Sequence, residues 1–296
     1  AELDMDYVAV SFPRTADDLK EARQLLDAAG SRAEIIAKIE RAETVSSPEA
    51  LDELLLACDG AMVARGDLGV EIGDAELIGV QKHIIKRARE LNKVVITATQ
   101  MMETMIQNPM PTRAEVFDVA NAILDGSDAV MLSAETAAGN HPVEVVQSMT
   151  RICQGAEKHL LSRPAPTGIT QTCERFDEAI ARSAMYTANQ LIGVKAIICL
   201  TESGSTPLWM SRIRSGLPIF ALTRNERTLR RMALYRGVEP MFFDPTAVEE
   251  SNLNKEVLAG LKAKGQLNSG DLVLLTRGAD VGTDGGTNSM QVLMVD

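Results

Sequence analysis

Long apolar runs are missing from this chain. No stretch of its 296 residues approaches membrane-spanning length, so nothing in it reads as a transmembrane helix. The N-terminal AELDMDYVAV has neither a basic region nor a cleavage signal to direct export, and a cytoplasmic protein is expected. Cysteine is scarce: Cys58, Cys153, Cys173 and Cys199 are scattered, with no CxxC and no metal-ligand spacing, which points to reduced thiols. Histidine is scarcer. His83, His141 and His159 lie in or beside helical segments and none ends a strand, which argues against a His-based triad or a His-rich metal site. Positive charge is also in deficit. A net charge of −11 argues against nucleic acid as the main partner, because a phosphate backbone needs a basic face. A small anion could still find a locally basic pocket.

What is present is a hydrophobic content of 45%, ample for a core, in a length that suits two domains or one large one. The fourteen methionines read as core filler. The apolar residues form a repeat of five short runs, each ending abruptly in polar residues. Tyr7–Phe12 is the first. Glu34–Ile39 closes on Lys38, Glu40 and Arg41, and Ala61–Ala64 leads into Arg65, Gly66 and Asp67. Val94–Ala98 leads into Thr99 and Gln100, and Ala129–Leu132 into Ser133, Glu135 and Thr136.

Helix-length amphipathic segments fill the gaps at Thr15–Ala29, Ser47–Cys58, Glu76–Leu91, Thr112–Asp125 and Pro142–Leu160. Ser47 is a candidate N-cap with Pro48 at the first helical position. Alternating strands and helices make parallel β/α units, and continuous apolar strands suggest a sheet covered on both faces. Five units fall short of the eight of a closed barrel, which leaves an open sheet or part of a barrel over residues 1–161.

Composition changes over 162–175, a stretch of Pro, Ser, Thr and Gly that reads as a linker. A second α/β domain is expected over 176–296, with five strands and helices on both faces. Its helices are expected at Phe176–Leu191, Pro207–Ser215, Arg227–Arg236 and Val248–Lys264. Its strands are expected at Lys195–Leu200, Leu217–Leu222, Val238–Phe243, Asp271–Thr276 and Met290–Val295.

In β/α units chemistry gathers at the carboxyl ends of the strands. Lys38 and Glu40 are two apart and so share a strand face. They read equally as a metal ligand beside a cation for an anionic substrate, or as an ion pair in a barrel lumen. Asp67, one strand over, is a second carboxylate of the kind that holds Mg²⁺ with help from ligand and water oxygens. Gly66 in Ala64–Gly69 allows close backbone approach, although such a segment is often only a turn. Thr99, Ser133 and Glu135 complete the polar strand ends. In the second domain Thr201–Pro207 is a turn of hydroxyls around Gly204, suited to an anion, with Arg224, Arg227, Arg230 and Arg231 adding positive charge nearby.

The stretches IIAKIERAE (35–43), MVARGDLGVEI (62–72), ITATQMMETMIQNPMPTRAE (96–115) and DAVMLSAETAAGNHP (128–142) strongly resemble the pyruvate kinase family. The likeness continues in TESGSTP (201–207) and SGLPIFALTRNERT (215–228), covers essentially the whole chain, and is strongest to the bacterial type II form. It implies a partial TIM (β/α)8 barrel, about five of eight units, followed by an α/β doubly wound C-terminal domain. Lys38 matches the lysine that stabilises the phosphoryl group in transit; Glu40 and Asp67 match the carboxylates holding Mg²⁺ or Mn²⁺. Ala64, Arg65, Gly66 and Asp67 match the loop receiving substrate carboxylate and metal, and Thr99 a substrate-contacting threonine. Ser133 and Glu135 fall where the family is thought to relay a proton.

Phosphoenolpyruvate, pyruvate, ADP and ATP are the implied partners, with a tetramer as the implied assembly. Thr201, Ser203, Gly204, Ser205 and Thr206 match a sugar-phosphate or nucleotide effector site, with Ser205 where many relatives carry a basic residue. The resemblance also implies that three barrel units, the inserted lid domain and the K⁺ ligands lie outside this sequence, and that the isolated chain is catalytically impaired. Two other readings are a barrel lyase or aldolase acting on pyruvate-like acids, with Mg²⁺ or with Lys38 as a Schiff base, and a non-catalytic regulatory or assembly module. The ATQMMETM and MPTRAE stretches argue against the lyase.

Overall fold

Threonine and serine caps set the helices of the N-terminal half. Thr15 accepts from Asp17 N and closes a capping box with Asp18 at the head of α1 (Ala16–Ala28), and Ser47 accepts from Ala50 N ahead of Pro48 in α2 (Pro48–Leu56). These helices alternate with strands β1 (Tyr7–Val10), β2 (Glu34–Ile39) and β3 (Gly60–Ala64). Next come α3 (Arg65–Ile72), α4 (Asp74–Glu90), β4 (Val94–Ala98) and α5 (Arg113–Asp125), the last with its own capping box between Thr112 and Glu115. Then β5 (Ala129–Met131), a single turn α6 (Ala134–Ala137) and α7 (Pro142–Leu161) end this half. A computed structural model describes residues 2–161, 172–278 and 285–296, and the chain divides into two units, Ala1–Arg163 and Pro164–Asp296. The linker expected at 162–175 lies outside the described residues except for 172–175.

The five strands of the first unit lie parallel in the order β1-β2-β3-β4-β5, each beside its neighbour in sequence. Such an unreordered, all-parallel run is the arrangement of successive barrel strands. Alternation within the strands gives the sheet two different faces. Ile35, Ala37 and Ile39 pack with Leu51, Leu54, Leu55, Ile84 and Ile85 under the helices. The other face gathers a small cluster of Ile36, Met62 and Ala98, with Tyr7, Ile96 and Met131 packed against it. Both faces are therefore apolar, but a helical core covers one and a lumen-like cluster lines the other. The cover on both faces that continuous apolar strands suggest thus comes from helices on one face only.

The second unit begins with α8 (Phe176–Gln190), β6 (Val194–Leu200), α9 (Ser205–Arg212), β7 (Ile219–Thr223) and α10 (Glu226–Met232). It continues with β8 (Val238–Phe242), α11 (Leu253–Ala263), β9 (Leu272–Gly278) and β10 (Thr287–Met294). Its strand order is β10-β9-β6-β7-β8, parallel except for β10, which runs antiparallel to β9 on the edge. Here both faces are covered. Ala196, Ile198, Phe220 and Leu222 pack against Leu253, Val257 and Leu261 of α11, while Ile197, Cys199 and Ile219 pack against Ala181, Ala184 and Met185 of α8. The helix expected at Val248–Lys264 is shorter: 3₁₀ turns at Pro245–Ala247 and Glu250–Asn252 precede α11, because Asp244 and Pro245 form a capped turn that cannot extend into it. No helix among the described residues is long and apolar enough to cross a membrane.

Candidate active site

Each strand of the first unit delivers its polar residues to one end of the sheet. Lys38 belongs to the face of Ile36 and Met62, and its Nζ lies 2.6 Å from Glu40 Oε1 and 3.1 Å from Ser11 Oγ. Glu40 stands one residue past the end of β2, fully buried, whereas the Lys38 side chain is 25% exposed. Both oxygens of the Glu40 carboxylate are engaged: Oε2 accepts from Phe12 N at 2.6 Å, while Oε1 has the ionic contact with Lys38 but no aligned hydrogen bond among the described residues. Phe12 adopts φ +54° to bring its N–H there, and Arg41 sits over its ring at 5.5 Å. The ion pair weighed from sequence is thus present. A buried carboxylate oxygen without a hydrogen bond, beside an ammonium open to solvent, is an incomplete constellation ready for a ligand.

The next strand runs straight into a helix that the sequence pattern does not announce. Glycines at 66 and 69 hide the periodicity of α3, yet Arg65–Ile72 is helical and Ala64 gives its amino end no side-chain cap. Backbone N–H groups there form a positive dipole end, where exposed Asp67 also lies. Gly66 N donates to Thr99 Oγ1 at 2.8 Å. A Cβ at Gly66 would meet Thr99 only at 3.6 Å, so packing within the chain does not demand a glycine. Arg65 points away from the opening. Its buried guanidinium donates to Thr99 O from Nε and NH2 at 3.2 and 2.7 Å, to Gln100 O at 3.0 Å, and to Asp118 Oδ1 at 2.6 Å. Its side chain is therefore spent on the protein, and any ligand contact by this loop falls to backbone and to Asp67.

Thr99 and Gln100 follow β4 with φ of +65° and +54°, an unusual conformation for any side chain and a costly one for a β-branched residue, about 1–3 kcal/mol each. Thr99 Oγ1 donates to Ala98 O at 2.7 Å while accepting from Gly66, which leaves one lone pair unused. Met101, Met102 and Met105 then bury themselves against Val119, Ala122, Val145 and Met149 and anchor the strained loop from below. Glu135 ties that loop to the last strand end: its buried carboxylate accepts from Met102 N at 3.4 Å and from Ser133 N at 2.7 Å. Ser133 and Glu135 do not share a strand face as a spacing of two suggests, since β5 stops at Met131 and Glu135 reaches Ser133 from α6. Ser133 itself is exposed. Among the described residues no group of three His, Cys, Asp or Glu converges for a metal.

The matches to known proteins fall on both units. Residues 1–146 match the barrel domain of pyruvate kinase, and residues 178–293 match its alpha/beta domain. The chain is 57% identical over 296 residues to pyruvate kinase II of Salmonella typhimurium, and 55% identical over 296 residues to a pyruvate kinase of Haemophilus influenzae. The chain belongs to the pyruvate kinase family. It spans all of its own length in both matches but 62% and 61% of those relatives. Against a pyruvate kinase of Geobacillus stearothermophilus it is 45% identical, with 98% of this chain and 49% of the relative covered. The five parallel strands are accordingly part of a barrel, and the second unit is the family's C-terminal α/β domain.

The second unit has its own opening at the carboxyl ends of β6, β7 and β9. Strand order reverses there, with β7 on one side of β6 and β9 on the other, and open α/β sheets form crevices at such a point. A cavity of about 260 Å³ is lined by Thr201, Ser203 and Thr206 of the expected turn and by Arg224; Gly204, Ser205, Arg227, Arg230 and Arg231 do not line it. Gly204 instead shapes the turn with φ +81°, its N–H donating to Thr201 Oγ1 at 3.0 Å. Thr246, from the 3₁₀ turn Pro245–Ala247, and Arg277, near the end of β9, also line the cavity, and nothing in their local sequence marks them. Arg224 pairs with Glu202 at 3.2 Å and Arg277 with Glu250 at 3.8 Å. Cys58 and Cys199 are buried without disulfides, and burial pushes their thiols up to about 11 and about 12, which leaves them unreactive.

Proposed function

We propose that the protein containing this chain transfers the phosphoryl group of phosphoenolpyruvate to ADP, giving pyruvate and ATP, as a cytoplasmic glycolytic enzyme. The observation that carries this reading is the buried Glu40 carboxylate, with an oxygen lacking a hydrogen bond, against Lys38 at the strand ends. Such a transfer needs charge neutralisation and positioning rather than covalent help. The Lys38 ammonium faces the phosphoryl group between its two oxygens. Glu40 and Asp67 hold Mg²⁺ or Mn²⁺, which when bound neutralises phosphoryl and carboxylate charge; hard carboxylate oxygens fit such a cation, and two suffice when ligand and water oxygens complete its shell. K⁺ is a further cofactor.

The substrate carboxylate meets backbone N–H groups at the uncapped amino end of α3, beside Ala64, Arg65, Gly66 and Asp67, while Thr99 offers its remaining lone pair. When the phosphorus–oxygen bond breaks, the enolate that remains takes a proton at its methylene carbon. Ser133 lies on that proton's route, and Glu135 holds the Ser133 backbone in place. In the second unit, the cavity at Thr201, Ser203 and Thr206 takes a sugar phosphate or nucleotide effector, with Gly204 and Ser205 shaping the turn behind it. The assembly is a tetramer.

A lyase or aldolase using Lys38 as a Schiff base would need a neutral amine, whereas Lys38 is engaged as the cation of an ion pair. The test is a coupled assay of the intact protein. Pyruvate formed from phosphoenolpyruvate only with ADP and Mg²⁺ supports the reading. Borohydride-trapped adducts of Lys38 with pyruvate, and no ADP-dependent turnover, would overturn it.

A further inference from the structure

Arg65 is buried among the groups it binds, and its one charged partner among the described residues is Asp118, well inside α5 and past the helix's capping box. The guanidinium spans two elements. One edge meets the carbonyls of Thr99 and Gln100, and NH1 meets the Asp118 carboxylate at 2.6 Å. Two successive residues of one helical hand aim their carbonyls in a common direction, so a planar fork can hold both at once. Here that hand is the left one, which neither threonine nor glutamine prefers. The clamp therefore does what local sequence cannot: it keeps Thr99 where its hydroxyl bridges Ala98 O and Gly66 N.

We propose that Asp118 is a positioning residue for phosphoryl transfer, acting through the Arg65 guanidinium to hold the Thr99 loop in its left-handed conformation. The inference rests on the reading of Thr99 as a substrate contact. Asp118 touches no strand end and lies on a helix otherwise devoted to packing, through Val119, Ala122 and Ile123. Without its negative charge, the fork of Arg65 has a buried charge with only carbonyls and the Met101 sulfur to satisfy it, and its orientation is no longer fixed. The Thr99–Gly66 hydrogen bond then loses its constraint. That bond joins the ends of β3 and β4, so the substrate loop and the start of α3 separate together.

The experiment compares the intact protein with Asp118→Asn, Asp118→Glu, Thr99→Gly and the double variant Asp118→Asn/Thr99→Gly. Asp118→Asn keeps the volume and one acceptor oxygen and is expected to fold. Its kcat/KM for phosphoenolpyruvate is expected to fall about ten- to a hundredfold, the scale of a misplaced contact, while the KM for ADP stays within about twofold. Asp118→Glu restores part of the loss. In the Thr99→Gly background, Asp118→Asn costs little more, because both changes release the same loop. A merely structural Asp118 would lower the melting temperature and the active fraction, with both KM values unchanged and the double variant additive. That pattern, or wild-type kinetics in Asp118→Asn, overturns the proposal. If the unmodified protein shows no ADP-dependent turnover, the proposed function fails instead, a separate result. Should Asp118→Asn fail to fold, Arg65→Lys is read in the same cycle: additivity with Thr99→Gly overturns the proposal and non-additivity supports it.

Discussion

The two units place their candidate sites at the carboxyl ends of their strands with opposite backbone chemistry. In the first, the left-handed residues at the strand ends carry side chains: Phe12, Thr99 and Gln100. In the second, every described residue with positive φ is a glycine, including Gly204 in the turn at the cavity. Strain in the first unit is held by Glu40 on Phe12 and by Arg65 on Thr99 and Gln100. The second needs no such clamp, since glycine adopts the conformation freely. The difference teaches where each unit invests stability. A site that orients reacting groups keeps functional side chains in unfavourable conformations and fixes them with buried charge. The turn at the cavity of the second unit is instead shaped by a glycine, which resists nothing.

The largest expected break in this comparison is at Lys38. Lys38→Met in the intact protein should lower kcat about 10²–10³-fold, the loss expected when a preorganised charge at the transition state is removed. The melting temperature should fall as well, because the fully buried Glu40 carboxylate loses the cation it pairs with. Next is Gly204→Val, which forces a β-branched residue to φ +81° with its Cβ 3.1 Å from Met232 Cγ. Thermal unfolding should register about 1–3 kcal/mol of destabilisation, and calorimetry a weaker sugar-phosphate affinity, with turnover in the absence of effector retained.

Gln100→Gly runs the other way. The side chain is exposed at φ +54°, so glycine relieves strain and should raise stability by about 0.5–1 kcal/mol in a denaturant titration, at the expense of turnover. A loss of stability would mean that the loop is not strained.

The smallest effect is at Glu115, which ties the Thr104 loop to the cap of α5. Burial raises its carboxyl, but hydrogen bonds from Thr104 and Thr112 outweigh that and hold it below its ordinary 4.5. A depressed value means the stabilisation is fully present above 4.5 and is lost as pH falls through the folded value. Glu115→Gln should therefore lower the melting temperature near pH 7, with the gap to the unmodified protein closing as pH falls below 4.5.

Much of this fold is legible in the sequence because its signals are local. Ser47-Pro48, Thr15 and Thr112 open helices where side-chain capping requires, and β2 and β4 have the bounds their apolar runs suggest. Lys38 and Glu40 are readable from a spacing of two, although Glu40 completes the pair from beyond the strand. Helix α3 is not readable, because two glycines break the pattern that tertiary packing of Leu68 restores. The role of Arg65 is hidden for a related reason. It sits in a loop that resembles a ligand site, and only the fold reveals that Thr99 and Asp118, far along the chain, consume its guanidinium. Thr246 and Arg277 join the second cavity from a 3₁₀ turn and the end of β9, an arrangement of topology that no spacing encodes.

The central claim is that Glu40, Asp67 and Lys38 form the metal and phosphoryl side of one site. Calorimetric titration of phosphoenolpyruvate into the intact protein, with and without Mg²⁺, tests it most directly when repeated on Glu40→Gln. The account predicts Mg²⁺-dependent binding that Glu40→Gln weakens at least about tenfold in a protein that still melts cooperatively. Binding that is indifferent to Mg²⁺, or unchanged in Glu40→Gln, would contradict it.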